Sequence, residues 1–149
     1  MSSTVDANVL LYASDTSSPN HQASREFLAE RATGPDLFYL FWPTIMAYLR
    51  IATHPAIFES PLVPEVAAAN IESLLRLPHV RTGSETERFW ETWRATTHSL
   101  VVRGNLVPDA HLVALMREHG VGIIWTNDRD LRKFDSIRVK DPFRGASDD

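Results

Sequence analysis

Cysteine is absent from this 149-residue sequence. The chain therefore forms no disulfide, offers no sulfur ligand to a metal and carries no thiol nucleophile, and we expect a protein of the reducing cytoplasm. Long apolar runs are also missing, and the N-terminus has neither the basic segment nor the apolar segment of a leader. We therefore expect no membrane segment and no signal peptide.

The sequence also lacks an excess of positive charge. Lysine and arginine total 15 against 19 acidic residues, a formal net charge of −4. This balance argues against a protein that coats nucleic acid by bulk charge. It leaves open an enzyme that reaches a phosphodiester through bound cations. The sequence also has no glycine-rich phosphate loop and no His-Glu-x-x-His zinc pattern.

Strand-like and helix-like segments alternate along most of the chain. With 44% hydrophobic residues, this alternation predicts one domain spanning 1–149, an α/β sandwich with a mainly parallel sheet, whose tail from Gly145 frays. Three strands and three helices matter most for the site. A strand at Thr4–Val5 passes into a helix near Val9, and a buried strand at Val121–Trp125 is followed by an edge strand at Ile137–Val139. One further predicted helix runs from the capping-box pattern Ser84–Glu87 to about Val102, and another begins at Val107 and ends just before Gly120.

Three aspartates occupy one kind of position in this pattern. Asp6 ends the first strand, Asp128 ends the strand before the last, and Asp109 lies in the first turn of a helix. Strand carboxyl ends and helix N-termini share one edge of a parallel sheet, so these carboxylates are predicted to converge. Their repulsion is relieved by a hard divalent cation, Mg²⁺ or Mn²⁺, which takes oxygen ligands and can polarise a phosphodiester and activate water.

Each acid also has a simpler explanation when it is taken alone. Asp109 is typical of a residue that interacts with a helix dipole, and Asp128 is typical of a turn or helix cap. A purely structural role explains Asp6 least well, because a carboxylate near the N-terminus between the apolar Val5 and Val9 gains little stability there. Taken together and in this order, the three acids favour a metal site.

The same residues lie in motifs that resemble those of a known protein family. Val5–Tyr12 resembles the opening signature of the PIN-domain ribonucleases, in particular the VapC-type toxins of bacterial toxin–antitoxin pairs. Further blocks are similar to that family in the same order, and together they cover nearly the whole chain: Tyr48–Pro55, Asn105–Leu115, Trp125–Phe134 and Asp141–Phe143.

This resemblance implies a fold, an activity and partners. The fold would be a three-layer sandwich, and the activity Mg²⁺- or Mn²⁺-dependent endoribonuclease cleavage of RNA. The partners would be a small VapB-like antitoxin and a second copy of the chain in a homodimer. Asp6, Asp109 and Asp128 would hold the metal, with Asn8 and Thr126 in support. Arg129, Arg132 and Lys133 either hold RNA phosphates or form a solvated charged face.

One position departs from the family pattern. A glutamate often precedes the aromatic-Leu-Arg of the second block, and Ala47 stands there in this chain. The departure is compatible with one metal instead of two, with a compensating acid such as Asp130, or with weak catalysis. An inactive PIN-type module that binds RNA or the antitoxin is therefore the alternative function, and a phosphatase of small phosphomonoesters is a more distant one.

Overall fold

The computed structural model of the protein describes residues 1–144, so the predicted frayed tail lies outside the described residues. The strands are β1 (Ser3–Val5), β2 (Phe38–Phe41), β3 (Val80–Gly83), β4 (Ile123–Trp125) and β5 (Arg138–Lys140). The helices are α1 (Ala7–Ser14), α2 (His21–Thr33), α3 (Trp42–Ala52), α4 (Pro64–Leu75), α5 (Phe89–Thr97) and α6 (Leu106–Glu118). A short 3₁₀ helix covers Arg129–Lys133.

The strands form one sheet in the order β3-β2-β1-β4-β5, and every pairing is parallel. The predicted mainly parallel sheet is confirmed, and β5 lies at the predicted edge. Chain order reverses at β1, since β2 and β3 extend the sheet on one side and β4 and β5 on the other. In open parallel sheets, such a reversal leaves a crevice beyond the strand carboxyl ends, where ligands bind.

Helices cover both faces of the sheet. On one face, Val5 and Leu40 pack with residues of α1 to α4 in a buried core. On the other face, Phe41 and Ile124 pack with α6, and side chains of α5 lie against that core. Leu40 and Phe41 point to opposite cores because successive strand residues alternate between faces. The predicted three-layer sandwich is therefore confirmed.

The helix predicted from Ser84 is shorter than its sequence pattern suggested. It begins at Phe89 and ends at Thr97, so the capping-box prediction over Ser84–Glu87 and the predicted end near Val102 are wrong. Polar groups before the helix bond to α6 instead, since the Thr86 N–H donates to Glu118 Oε1 over 3.1 Å. Thr86, rather than Ser84, caps the turn that leads into α5, since its Oγ1 accepts the Arg88 N–H at 3.2 Å.

α6 is the most deeply embedded helix around the site. Ala110 and the five residues Leu112–Met116 are buried, which fixes the helix against the sheet. The helix ends at Glu118, and Gly120 lies just past its end as predicted, with a φ of +69° that continues the chain into the turn before β4. Among residues 1–144, no helix is both long enough and apolar enough to cross a bilayer.

Gly83, the last residue of β3, has no room for a side chain. A Cβ there would lie 2.9 Å from Phe41 Cε1 and 3.0 Å from His119 Nε2. Phe41 is fully buried and cannot move away. We expect Gly83→Ala to lower the free energy of unfolding by about 1–3 kcal/mol, the usual cost of overpacking.

Urea unfolding of the purified variant measures this effect. Gly122→Ala is the matched control, since a Cβ at Gly122 meets nothing within 4 Å. Equal midpoints for the two alanine variants would show that the Gly83 contact is relieved at no cost.

Candidate active site at the carboxyl ends of β1 and β4

β1 and β4 end side by side at the point where chain order reverses. Val5 pairs with Trp125, and the Asp6 N–H donates to the Trp125 carbonyl over 3.1 Å. The residues that follow, Asp6 and Thr126, are therefore neighbours although 120 positions separate them in sequence. This adjacency begins the site.

Asp6 is held by hydrogen bonds on both carboxylate oxygens. Its Oδ1 accepts from the Asn8 backbone N–H at 3.2 Å as the N-cap of α1, and its Oδ2 accepts from Thr126 Oγ1 at 2.8 Å. Burial raises the pKa of Asp6, these hydrogen bonds oppose the rise, and the nearby charge of Asp128 adds to it. The site thus holds a carboxylate whose ionisation is costly and whose geometry is fixed.

Thr126 connects the two strand ends. Its side chain is 1% exposed, donates to Asp6 and accepts the Asp128 backbone N–H at 2.9 Å. One hydroxyl therefore sets the position of two aspartates, and it belongs to the residue that the sequence predicted to support the site.

Thr126→Val removes that hydroxyl while keeping the shape of the side chain. We expect the free energy of unfolding to fall by about 1–2 kcal/mol, because a buried acceptor and a buried N–H lose their partner. RNA cleavage should fall by about 10–100-fold, the usual cost of removing a residue that orients a metal ligand.

Thr126→Ser is the matched control, since serine keeps the hydroxyl and loses only a methyl group. Chemical unfolding and RNA cleavage should both place it nearer the wild type than the valine variant. Wild-type cleavage by Thr126→Val would mean that the hydroxyl does not position the aspartates.

Three further carboxylates meet beside this pair. Asp128 caps the 3₁₀ helix by accepting the Asp130 N–H at 2.9 Å, and Asp109 lies in the first turn of α6. Asp109, Asp128 and Asp130 each place a carboxylate oxygen within 4.8 Å of the others. The group thus contains Asp130 in place of the predicted ligand Asp6, and the sequence had named Asp130 as an acid that could compensate for Ala47.

Asp109 shows the electrostatic strain of the group. Its pKa is raised from 3.8 to about 6 by burial first, and then by the charges of Asp128, Asp6 and Asp130, while Lys133 acts in the opposite direction. Oxygen-only donors that repel one another suit a hard divalent cation such as Mg²⁺ or Mn²⁺. The residues present therefore fit the metal that the sequence predicted.

The basic residues at this edge of the sheet lie in two different environments. Lys133 Nζ lies 3.4 Å from Asp130 Oδ1, beside the carboxylates. Arg129 and Arg132 instead line an adjoining pocket of about 260 Å³, which shares Thr126 and Asp128 with the carboxylate site and is completed by Asn127, Asp141 and Arg144. The sequence interpretation gave no role to the last three, although Asp141 was part of a motif it recognised.

Comparisons with known proteins identify the family. The PIN domain family model matches residues 4–137. Ribonuclease VapC48 of Mycobacterium tuberculosis is 49% identical over 145 residues, which cover 97% of this chain and 100% of that protein.

Solved structures share the fold. VapC20 of Mycobacterium tuberculosis, described as a Sarcin-Ricin loop cleaving toxin, aligns with a TM-score of 0.63 at 17% identity, covering 91% of this chain and 98% of that one. A chain of VapBC2 from Rickettsia felis, solved bound to a DNA fragment from their promoter, aligns with a TM-score of 0.65 at 11% identity, covering 95% and 98%. The family model, and the 49% identity to a VapC ribonuclease over nearly the whole chain, show that this chain belongs to the PIN-domain family, among its VapC proteins.

Proposed function

We propose that this protein is a Mg²⁺- or Mn²⁺-dependent endoribonuclease and the toxin of a toxin–antitoxin pair. The observation that carries the proposal is the convergence of Asp109, Asp128 and Asp130, with Asp6 held next to them by Thr126, at the reversal point of a parallel sheet. The likeness to Ribonuclease VapC48 supports RNA as the substrate.

The carboxylates have distinct parts in this proposal. Asp109, Asp128 and Asp130 would hold the cation, and Asp6 would complete the site from the β1 side. When bound, the cation would offset their negative charge, polarise the phosphodiester and lower the pKa of a water molecule. Asp130 would supply the acid that Ala47 does not, since Ala47 lies on α3 while Asp130 already lies within 4.8 Å of the other ligand oxygens.

The remaining residues prepare the site for an anionic substrate. Thr126 and the Asn8 N–H hold Asp6 in one orientation, so its charge acts at a fixed point. Lys133 moderates the negative potential over Asp109 and is placed to meet a phosphate oxygen as the RNA approaches. The net charge of −4 makes such local cations necessary, because the surface as a whole does not attract RNA.

Two protein partners belong to the same proposal. A VapB-like antitoxin would bind the toxin, as in the VapBC2 complex of Rickettsia felis. A cleft of about 360 Å³ lies between the first four helices. Its lining combines apolar residues such as Leu28 with polar ones such as Arg25 and Asn70, a mixture suited to an amphipathic segment. A homodimer is proposed as well, and the exposed Trp42 and Met46, one turn apart on α3, offer apolar surface for it.

The function is tested by incubating the purified protein with a mixed RNA pool in Mn²⁺, in Mg²⁺ and in EDTA, and with p-nitrophenyl phosphate in parallel. We expect internal RNA cleavage with either metal, no cleavage in EDTA and no release of nitrophenol. RNA or antitoxin binding without turnover would favour the inactive binding module. Hydrolysis of the phosphomonoester with intact RNA would favour the phosphatase.

A further inference from the structure

The pocket beside the carboxylates is lined by three arginines, Arg129, Arg132 and Arg144. We propose that it is a phosphate subsite, which holds a backbone phosphate of the RNA next to the one that is cleaved. The assignment rests on the proposed ribonuclease function and adds a binding position to it. It also gives a role to Arg144, which neither the sequence motifs nor the metal site had assigned.

The position of the pocket favours a neighbouring phosphate of the same strand. Thr126 and Asp128 form one wall of the pocket and also belong to the carboxylate site. Arg129 and Arg132 come from the 3₁₀ helix that Asp128 caps, and Arg144 comes from the segment after β5. An RNA strand bound at the carboxylates would therefore extend directly into the pocket.

The net charge of the pocket is positive, unlike that of the neighbouring carboxylate site. Its arginines carry three positive charges against the carboxylates of Asp128 and Asp141. Within residues 1–144, neither Arg129 nor Arg132 has a carboxylate oxygen within 4.0 Å, so their guanidinium groups are available to an anion. Guanidinium groups bind phosphate oxygens through paired N–H donors, and several together favour a phosphodiester over a neutral ligand.

Asp141 holds the third arginine in place. It is only 16% exposed, and its Oδ1 accepts the Phe143 N–H at 2.8 Å, while its Oδ2 lies 3.5 Å from Arg144 Nε. Phe143 in turn packs against the Tyr12 ring, with 5.8 Å between ring centroids. These contacts anchor the segment after β5 to α1, so Arg144 faces the pocket from a fixed turn.

The volume of the pocket suits a small part of a nucleic acid. At about 260 Å³ it lies just below the roughly 300–1,000 Å³ range of sites that enclose whole small ligands. This volume is sufficient for one phosphate with its sugar. The three arginines that line the pocket point to contact with the backbone, and such contacts position the strand without reading its sequence.

Arg144→Gln tests the subsite, and Arg138→Gln is the charge-matched control. Arg138 is exposed at the start of β5, the end of the strand away from the site. The dissociation constant of a fluorescent single-stranded RNA is measured in EDTA, where no cleavage is expected, over a series of salt concentrations. We expect Arg144→Gln to weaken binding by about tenfold. The slope of log K against log salt should shrink by about 0.7, one phosphate contact on a single strand.

A second readout avoids RNA altogether. Binding of inorganic phosphate, followed by the rise in melting temperature of the metal-free protein, should be present in the wild type and in Arg138→Gln and reduced in Arg144→Gln. Equal phosphate and RNA binding by the two variants, or no phosphate binding by any form, would overturn the subsite. Normal RNA cleavage by Arg144→Gln with an unchanged KM would overturn it while leaving the ribonuclease function intact. Phosphate binding that depends on Arg144, in a protein that neither binds nor cleaves RNA, would overturn the RNA assignment and the proposed function together.

Discussion

Replacing Asp109 by asparagine is expected to reduce RNA cleavage by at least about 100-fold, since even residues that only orient metal ligands contribute about 10–100-fold. The substitution keeps the size of the side chain and removes a charge from the group formed with Asp128 and Asp130. The affinity for Mn²⁺ should fall as well. Initial cleavage rates on a defined RNA and Mn²⁺ titration followed by electron paramagnetic resonance measure the two effects.

Asp135→Asn is the matched control for this experiment. Asp135 is exposed and follows the 3₁₀ helix, so the variant has the same change in net charge away from the group of ligand oxygens. We expect it to cleave RNA at close to the wild-type rate. If Asp109→Asn and Asp135→Asn were equally active, the carboxylate group would not be the catalytic centre.

The metal-free protein is expected to lose stability as the pH rises through the range in which Asp109 ionises. The ordinary pKa of 3.8 applies to the unfolded chain, and the folded pKa is about 6. The folded state therefore binds more protons between these values, so the free energy of unfolding declines from pH 3.8 to about 6 and stays lower above it. Because Asp109 is only partly buried, solvent screening reduces the expected loss to roughly 1 kcal/mol.

Added metal should reverse this loss at neutral pH. At a concentration of about 100 times its dissociation constant, Mg²⁺ or Mn²⁺ would add about 2.7 kcal/mol to the free energy of unfolding. For a chain of this size, that corresponds to a rise in melting temperature of roughly 5–10 °C. Calorimetry in EDTA and in saturating metal, at pH 5 and pH 7.5, measures both changes.

The Asp109→Asn variant distinguishes the effect of this site on stability from the effects of the other acidic residues in the chain. In EDTA at pH 7.5 this variant should be more stable than the wild type, because the repulsion from Asp128, Asp6 and Asp130 is removed. It should also gain much less stability from metal. A variant that is less stable than the wild type in EDTA would show that the Asp109 charge is compensated within the folded protein.

The outline of the fold follows from the sequence for a local reason. Helical and strand-like segments alternate, and a parallel sheet covered by helices is the arrangement that buries both kinds of apolar face. The same argument predicts Asp6, Asp109 and Asp128 at one edge, where burial and then neighbouring carboxylates raise the pKa of Asp6 and of Asp109. The PIN resemblance, drawn from the order of the motifs, is confirmed by the family model.

The sequence did not determine the start of α5. Ser84–Glu87 has the residues of a capping box, but the Thr86 N–H bonds to Glu118 of α6, a partner 32 positions away. Local patterns describe the bonds that a segment can make with itself. They do not include a contact with a distant helix such as the one that holds Thr86, so the prediction of the helix start was wrong.

The sequence by itself determined the class of fold, and it predicted the edge of the sheet proposed for the chemistry and the acids that follow β1 and β4. Only the tertiary structure decided that the Asp130 oxygen joins those of Asp109 and Asp128, and that Arg144 reaches the pocket of Arg129 and Arg132. The reason is geometric. Which side chains meet at a strand end depends on the turn of the 3₁₀ helix and on the Asp141 and Phe143 contacts, and these are set by packing between segments far apart in the chain.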